Sequence, residues 1–438
     1  MMNRPVLVYA DASGRIIDWP KLEMAGGSGF RWHRLEPEDW IPLPEGSELF
    51  LLPSRFPIGY SREKRRFEIL ERDPYDPSQS VKAVAAFVSP AHTQTYFPAY
   101  KASPGAPLLP LFAYTAVGWH KGRFVTAATR VDPDDRQDFR NFDLKLIRRN
   151  ARNRMKREGS NRLIQHLGKC ALYYGCPAAR NLFMRRWEAP LPTSPVCNAR
   201  CLGCISLQTR QDLCANQERI RFVPTPEEIL AVAVPHLEAA PRAVVSFGQG
   251  CEGEPLLQQE VLRKAIKGMR LTTGRGTINV NSNGSLPRAV EKLFQAGLDS
   301  IRVSLNSCRS HCYHAYFNPQ GYDFLDVMAS LKTAKKSGGF VSLNYFVLPG
   351  FTDQKREFEA LCRLLDEIPV DLIQMRNLNI DPDWYLRSMP VEGDTDAMGI
   401  RNLMQTLNER YPGTRLGYFN PCLDPGAATE RTSHEKHV

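Results

Sequence analysis

From residue 226 onward the chain alternates two hydrophobic patterns. Short runs dominated by apolar residues at 243–247, 277–284, 299–306, 341–347 and 370–377 end in glycine or polar residues. Such runs read as strands buried on both faces of a parallel sheet. Between them, at 226–238, 255–269, 286–296, 322–337 and 353–367, apolar positions recur at helical spacing. Strands alternating with helices of about 10–15 residues predict βαβ units. The expected fold is therefore α/β, with the parallel strands in a partial (βα)6 barrel resembling a TIM barrel.

The remainder reads differently. Residues 1–135 mix short apolar runs with prolines and glycines and predict a β-rich N-terminal domain. Within it Leu108–Val131 reads as a hairpin turning at His120-Lys121-Gly122. Proline-rich stretches at 103–110 and 189–195 read as connectors. The expected divisions are 1–135, a helical segment at 136–189, the barrel at 190–390 and a C-terminal extension at 391–438. There is no internal repeat.

Charge changes the picture in one place. Between Arg140 and Arg186 there are thirteen basic residues (140, 145, 148, 149, 152, 154, 156, 157, 162, 169, 180, 185 and 186), opposed only by Asp143 and Glu158. That segment carries +11, against +10 for the whole chain. Leu144, Ile147, Ala151 and Met155 recur at helical spacing, so 138–158 predicts an amphipathic helix with one basic face, followed by a short helix at 161–168. Such a face is the electrostatic footprint of a partner such as RNA or another polyanion, or a solvated face packed on an acidic neighbour. Composition is otherwise that of an ordinary globular protein. No apolar run is long enough to cross a bilayer, and the start has no signal-peptide pattern. Eleven cysteines in such a chain suit a reducing, cytoplasmic compartment with metal-bound or buried thiols.

Three of those cysteines carry the chemistry. Cys197, Cys201 and Cys204 are spaced C-x3-C-x2-C, with no fourth in the loop. Thiolates hold iron–sulfur clusters, and three on a four-iron cube leave one iron open to a small ligand. A structural zinc site would instead use a second pair of cysteines or histidines.

This loop resembles the signature of the radical S-adenosylmethionine (SAM) superfamily, and the resemblance extends over about 190–385. Gly253-Glu254-Pro255, after the run 243–247, looks like that family's motif for the methionyl amine, which implies that Gly253 and Glu254 bind it. Asn283 ends a run similar to the family's third strand. Ser304 and Asn306 end one similar to the fourth and are expected near ribose or carboxylate. The tail Pro349-Gly350-Phe351-Thr352-Asp353 is also similar to the family's.

The resemblance implies a [4Fe–4S] cluster on Cys197, Cys201 and Cys204, S-adenosylmethionine, and an external one-electron donor of flavodoxin or ferredoxin type. It implies reductive cleavage to a 5′-deoxyadenosyl radical that takes hydrogen from substrate. One departure is Gly203, where most members carry an aromatic residue that packs on adenine. Stacking must then come from elsewhere.

No residue stands out as a catalytic acid or base. Cys251 and Cys308 lie near strand ends as candidate hydrogen donors. Cys170, Cys176, Cys308 and Cys312 lack the partner pairs of a second cluster, and Cys308–His314 reads as a polar loop at a helix start. Four functional classes stay open: an enzyme acting on a small metabolite, peptide or lipid; an RNA modifier using 140–186; a glycyl-radical-enzyme activase; and a cluster protein that only transfers electrons or senses iron.

Overall fold

The computed structural model describes residues 4–390 and 396–423. Val6–Arg130 forms antiparallel strands, the longest spanning Ile16–Ser28. The expected hairpin is present as Thr115–His120 and Arg123–Thr126, with His120 opposite Arg123. Lys121 and Gly122 both have positive φ, 47° and 80°. That is the two-residue turn whose twist matches its strands. Residues 108–114 stay outside the hairpin. Pro107 and Pro110 have no N–H to donate to a ladder, and the Leu109 N–H goes to Asp381 at 3.0 Å instead.

The connector is helical. Helix α1, Leu144–Arg157, starts later than the spacing predicts, because the Asp143 carboxylate accepts from the Lys145 and Leu146 N–H groups and caps it there. Helix α2, Arg162–Leu172, is capped by Asn161 and runs past 168, since Cys170 and Ala171 continue its buried stripe. The two helices meet at Gly168, where a Cβ would lie 2.2 Å from the Met155 sulfur. Helix α3, Pro177–Phe183, leads into the barrel.

Seven parallel strands follow in chain order: Glu188–Pro190, Val244–Phe247, Thr277–Ser282, Ser300–Leu305, Phe340–Val347, Leu372–Asn377 and Arg415–Gly417. Around them lie α4 (Pro226–Ala239), α5 (Gln259–Thr272), α6 (Pro287–Gln295), α7 (Ser310–Phe317), α8 (Phe324–Lys336) and α9 (Lys355–Glu367), with α10 (Pro382–Ser388) and α11 (Ile400–Arg410) beyond. Alternate strand residues divide the labour. Val245, Phe247, Ile278, Val280, Ile301, Val303, Leu343 and Ile373 join the apolar core with the helices. The opposite positions are polar and stand in register: Ser246 beside Asn279, Asn281 beside Arg302, Ser304 beside Asn344, and Asn344 beside Gln374. The seventh strand belongs to the C-terminal extension, so the barrel does not end at 390. Asn420, just beyond it, bonds Glu188, Asn281 and Gln374 across the barrel's polar interior. The rest of that extension, 391–395 and 424–438, lies outside the described residues.

The N-terminal domain docks on the carboxyl ends of the fifth and sixth strands. Thr93 donates to the Met375 carbonyl at 2.6 Å, and Asn377 bonds both the Gln94 N–H and the His92 carbonyl. Arg55 and Asp381 form an ion pair at 2.6 Å with both side chains buried. The Pro349–Asp353 tail is part of this contact. Gly350 has φ +81°, and a Cβ there would sit 1.8 Å from the Gly29 nitrogen.

Candidate active site

The cysteine loop is held from two sides. On one side, both oxygens of Glu252 bind backbone: Oε2 accepts from Thr193 and Ser194 (2.7 and 2.9 Å), and Oε1 from Gly248 and Gln249 (2.7 and 2.8 Å). Burial pushes Glu252 up to about 7, against the pull of those four N–H groups. The Gly253 N–H then donates to the Ser194 carbonyl and the Glu254 N–H to Val196. The glycine-rich loop after the second strand and the lead into Cys197 are therefore one hydrogen-bonded unit. On the other side, Arg200 and Leu202 donate to the Phe317 and Tyr316 carbonyls at the end of α7. Cys197, Cys201 and Cys204 are thereby brought to one cavity wall, half-buried. Arg219 donates to the Cys204 sulfur at 3.4 Å and to the Ser206 hydroxyl.

Glu254 stands on the same wall. Its Oε1 accepts from the Ser282 hydroxyl (2.6 Å) and the Leu256 N–H, and Oε2 from the Asn283 N–H (2.8 Å). Burial raises this carboxyl to about 7. Its Oε2 retains acceptor capacity for a further donor. Gly253, Asn283 and Ser304 also line the cavity, and the Ser304 hydroxyl accepts from Asn344. Asn306 is turned elsewhere. Its amide bonds the Cys312 carbonyl and the Tyr385 hydroxyl inside the core, and it is not part of the cavity wall. Cys308 and Cys251 do not line the cavity either.

The cavity has a volume of about 810 Å³, within the range of small-molecule sites. Its walls combine the strand ends with Glu48, Phe87, Pro90 and Phe112 of the N-terminal domain. Three arginines face it: Arg180, Arg302 and Arg376. Arg302 bonds Gln374 through one terminal nitrogen, while its buried Nε has no partner. Burial, then the Arg376 charge, pulls Arg302 down to about 9. Arg376 donates to the Tyr418 carbonyl and stacks on that ring. Neither of these two strand arginines is ion-paired among the described residues.

Several of these residues were illegible in the chain. Glu252 is masked in the sequence by Glu254 two positions on, although a loop rich in glycine needs an acceptor for its N–H groups. Arg302 and Arg376 sit inside strands and give no local signal. Gly203 acquires a reason: a Cβ there would come within 2.8 Å of the Tyr316 hydroxyl. The ring of Tyr316 thus occupies the place beside the cysteine loop that a larger residue at 203 would need.

The donor set suits the cofactors implied by the sequence. Three thiols without a fourth in their loop, next to a carboxylate aimed into one cavity, can hold a cluster with an open position and an ammonium-bearing ligand beside it. Residues 191–365 match the model of the Radical SAM superfamily. GTP 3′,8-cyclase of Rhizobium etli (strain CIAT 652) is 26% identical over 44% of this chain and 53% of its own length. Molybdenum cofactor biosynthesis protein 1 of Mus musculus is 24% identical over 59% of this chain and 38% of its own. The chain thus spans less than two thirds of either relative. Among solved structures, a radical SAM methyltransferase from Sphaerobacter thermophilus aligns with TM-score 0.39 and 16% identity over 53% of this chain and 66% of that one. With its parallel strands and the cysteine loop, the segment 191–365 is a radical SAM domain, and the cofactors of that superfamily are a [4Fe–4S] cluster and S-adenosylmethionine.

Proposed function

We propose that this protein is a radical SAM enzyme acting on a small anionic substrate, most simply one bearing phosphate. The observation that carries the substrate class is the pair Arg302 and Arg376. Two guanidinium groups lining one cavity, without an ion-pair partner among the described residues, form a costly arrangement until an anion joins them. Guanidinium forks match phosphate and carboxylate geometry. The relatives named GTP 3′,8-cyclase point to a nucleoside triphosphate as the first compound to test.

In this reading Cys197, Cys201 and Cys204 hold the cluster, and Glu254 with the Gly253 backbone holds the methionyl amine. Asn283 and Ser304 line the remaining cofactor side, and Tyr316 supplies the aromatic surface that Gly203 lacks. The bound cofactors supply one-electron cleavage of S-adenosylmethionine and hydrogen abstraction from substrate, for which an external electron donor is needed. Arg302 and Arg376 orient the anionic end. The N-terminal domain, through Phe87 and Phe112, narrows the mouth and excludes water.

The test is binding to the anaerobically reconstituted enzyme. GTP, guanosine and a non-phosphorylated anion are titrated with wild type and with Arg302→Met and Arg376→Met. Phosphate-dependent binding, weakened at least tenfold by either variant while cluster content stays intact, is expected. Equal binding of guanosine and GTP, or unchanged affinity in both variants, refutes the anionic substrate.

A further inference from the structure

Outside the cavity described above, one group of soft donors converges. His166 and Cys170 lie one turn apart on the same face of α2. Cys251 comes from the loop after the second strand, far away in the chain. The imidazole nitrogen of His166, the Cys170 sulfur and the Cys251 sulfur all lie within 4.8 Å of one another. His166 Nε2 and Cys170 Sγ are 3.5 Å apart.

Those spacings have a chemical meaning. With Zn–S near 2.3 Å and Zn–N near 2.0–2.1 Å, tetrahedral angles put neighbouring ligand atoms about 3.5–3.8 Å apart. Among the described residues, this is the one group of three such donors gathered so tightly. Cys197, Cys201 and Cys204 are not, as suits ligands spread around a multi-iron cluster. The sulfurs of Cys170 and Cys251 are buried, and the imidazole is half-buried, which leaves an approach from solvent. Cys176 lies beyond the tight group, half-buried, and its N–H donates to the Cys170 carbonyl at 3.0 Å. It is the further thiol available to complete four-coordination.

We propose that His166, Cys170 and Cys251 bind one zinc ion, separate from the iron–sulfur cluster. Binding releases the two thiol protons to solvent and involves no redox change. Its consequence is mechanical. Cys251 immediately precedes Glu252, whose carboxylate organises the cysteine loop, and Gly253 and Glu254 follow. A zinc ion there ties α2 to that loop.

The experiment is metal analysis of the anaerobically purified and reconstituted full-length protein. Wild type should hold about one zinc beside about four irons per chain. His166→Ala and Cys170→Ala should each lose the zinc and keep the iron. The triple variant C197A/C201A/C204A should lose the iron and keep the zinc. Cobalt(II) added to zinc-stripped wild type gives a reading independent of variant folding: a tetrahedral two-thiolate site produces intense visible bands and a sulfur-to-metal charge-transfer band. Wild type without zinc and with only a weak octahedral cobalt spectrum overturns the proposal. So does iron near eight per chain with about four retained in the triple variant, which would make these residues ligands of a second cluster.

Discussion

A Cβ on Gly253 would lie 2.0 Å from the Val196 carbonyl oxygen and 3.1 Å from the Cys197 nitrogen. Both obstacles are backbone, so neither can swing aside. Gly253→Ala must push the cofactor loop away from the first cysteine or strain both. Overpacking of this kind costs about 1–3 kcal/mol, which corresponds to roughly five- to 150-fold in S-adenosylmethionine affinity, and it should lower iron retention as well. Gly413→Ala is the control, since a Cβ there meets nothing within 4 Å. Calorimetric titration with iron analysis decides it, and wild-type values for Gly253→Ala would mean the two segments move independently.

Glu254 makes a different prediction. The Ser282 hydroxyl and two N–H groups already fix the carboxylate, leaving capacity for an ammonium group. Glu254→Gln keeps the size but removes the charge and turns an amide NH2 toward existing donors. A hydrogen bond to a charged group contributes about 1.5–3 kcal/mol. S-adenosylmethionine should therefore bind roughly ten- to a hundred-fold more weakly, with about four irons still present per chain. An unchanged dissociation constant would remove Glu254 from the cofactor site.

How far could the sequence alone have reached? The outward face of the barrel was legible, because runs such as Ala243–Phe247 carry their burial in their composition. The cysteine loop and the Gly253-Glu254 pair stand out in the sequence because their pattern is local, and the structure brings both to one cavity. What was hidden depends on distant partners. Arg55 and Asp381 are 326 positions apart, yet their buried pair docks the N-terminal domain over the cavity. Arg302 and Arg376 look like ordinary strand residues until register sets their side chains on the barrel's inner face. Asn306 also depends on distant partners: its place at a strand end suggests the cofactor, but its amide bonds the Cys312 carbonyl and the Tyr385 hydroxyl in the core.

Stability should depend on pH through His236. The ring lies on the buried face of α4, its Nε2 bonding the Trp187 carbonyl at 2.8 Å while Nδ1 has no partner among the described residues. Burial pushes it from 6.5 down to about 4. The unfolded chain therefore binds a proton between those values that the folded chain does not, so stability falls as pH drops from 6.5 toward 4. The full effect is about 3 kcal/mol. Thermal melts between pH 7 and 5 should show wild type losing more stability than His236→Gln, and parallel losses in the two proteins would assign the acid sensitivity to other groups.

The basic connector supports a second reading, in which a polyanion binds outside the cavity. The structure divides its charges. Arg154 is bonded to Glu158 and the Ala231 carbonyl, Arg162 to Glu228, and Lys169 to Glu218. Arg180 and Arg186 pack on Phe142. Arg148, Arg149, Arg152 and Lys156 on α1 remain exposed and make no ion pair among the described residues. They form the surface to test. If phosphates meet them, binding of single-stranded RNA should weaken with salt by a logarithmic slope of about −0.7 per contact. The quadruple variant R148S/R149S/R152S/K156S should flatten that slope without changing cluster content. Arg154 is left in place, because it also ties α1 to the Ala231 carbonyl of α4, and removing it would confound folding with binding. RNA titrations at several salt concentrations make the comparison. Equal slopes in the two proteins, or no binding at low salt, would return α1 to a solvated face and leave the arginine-lined cavity as the anion site to test.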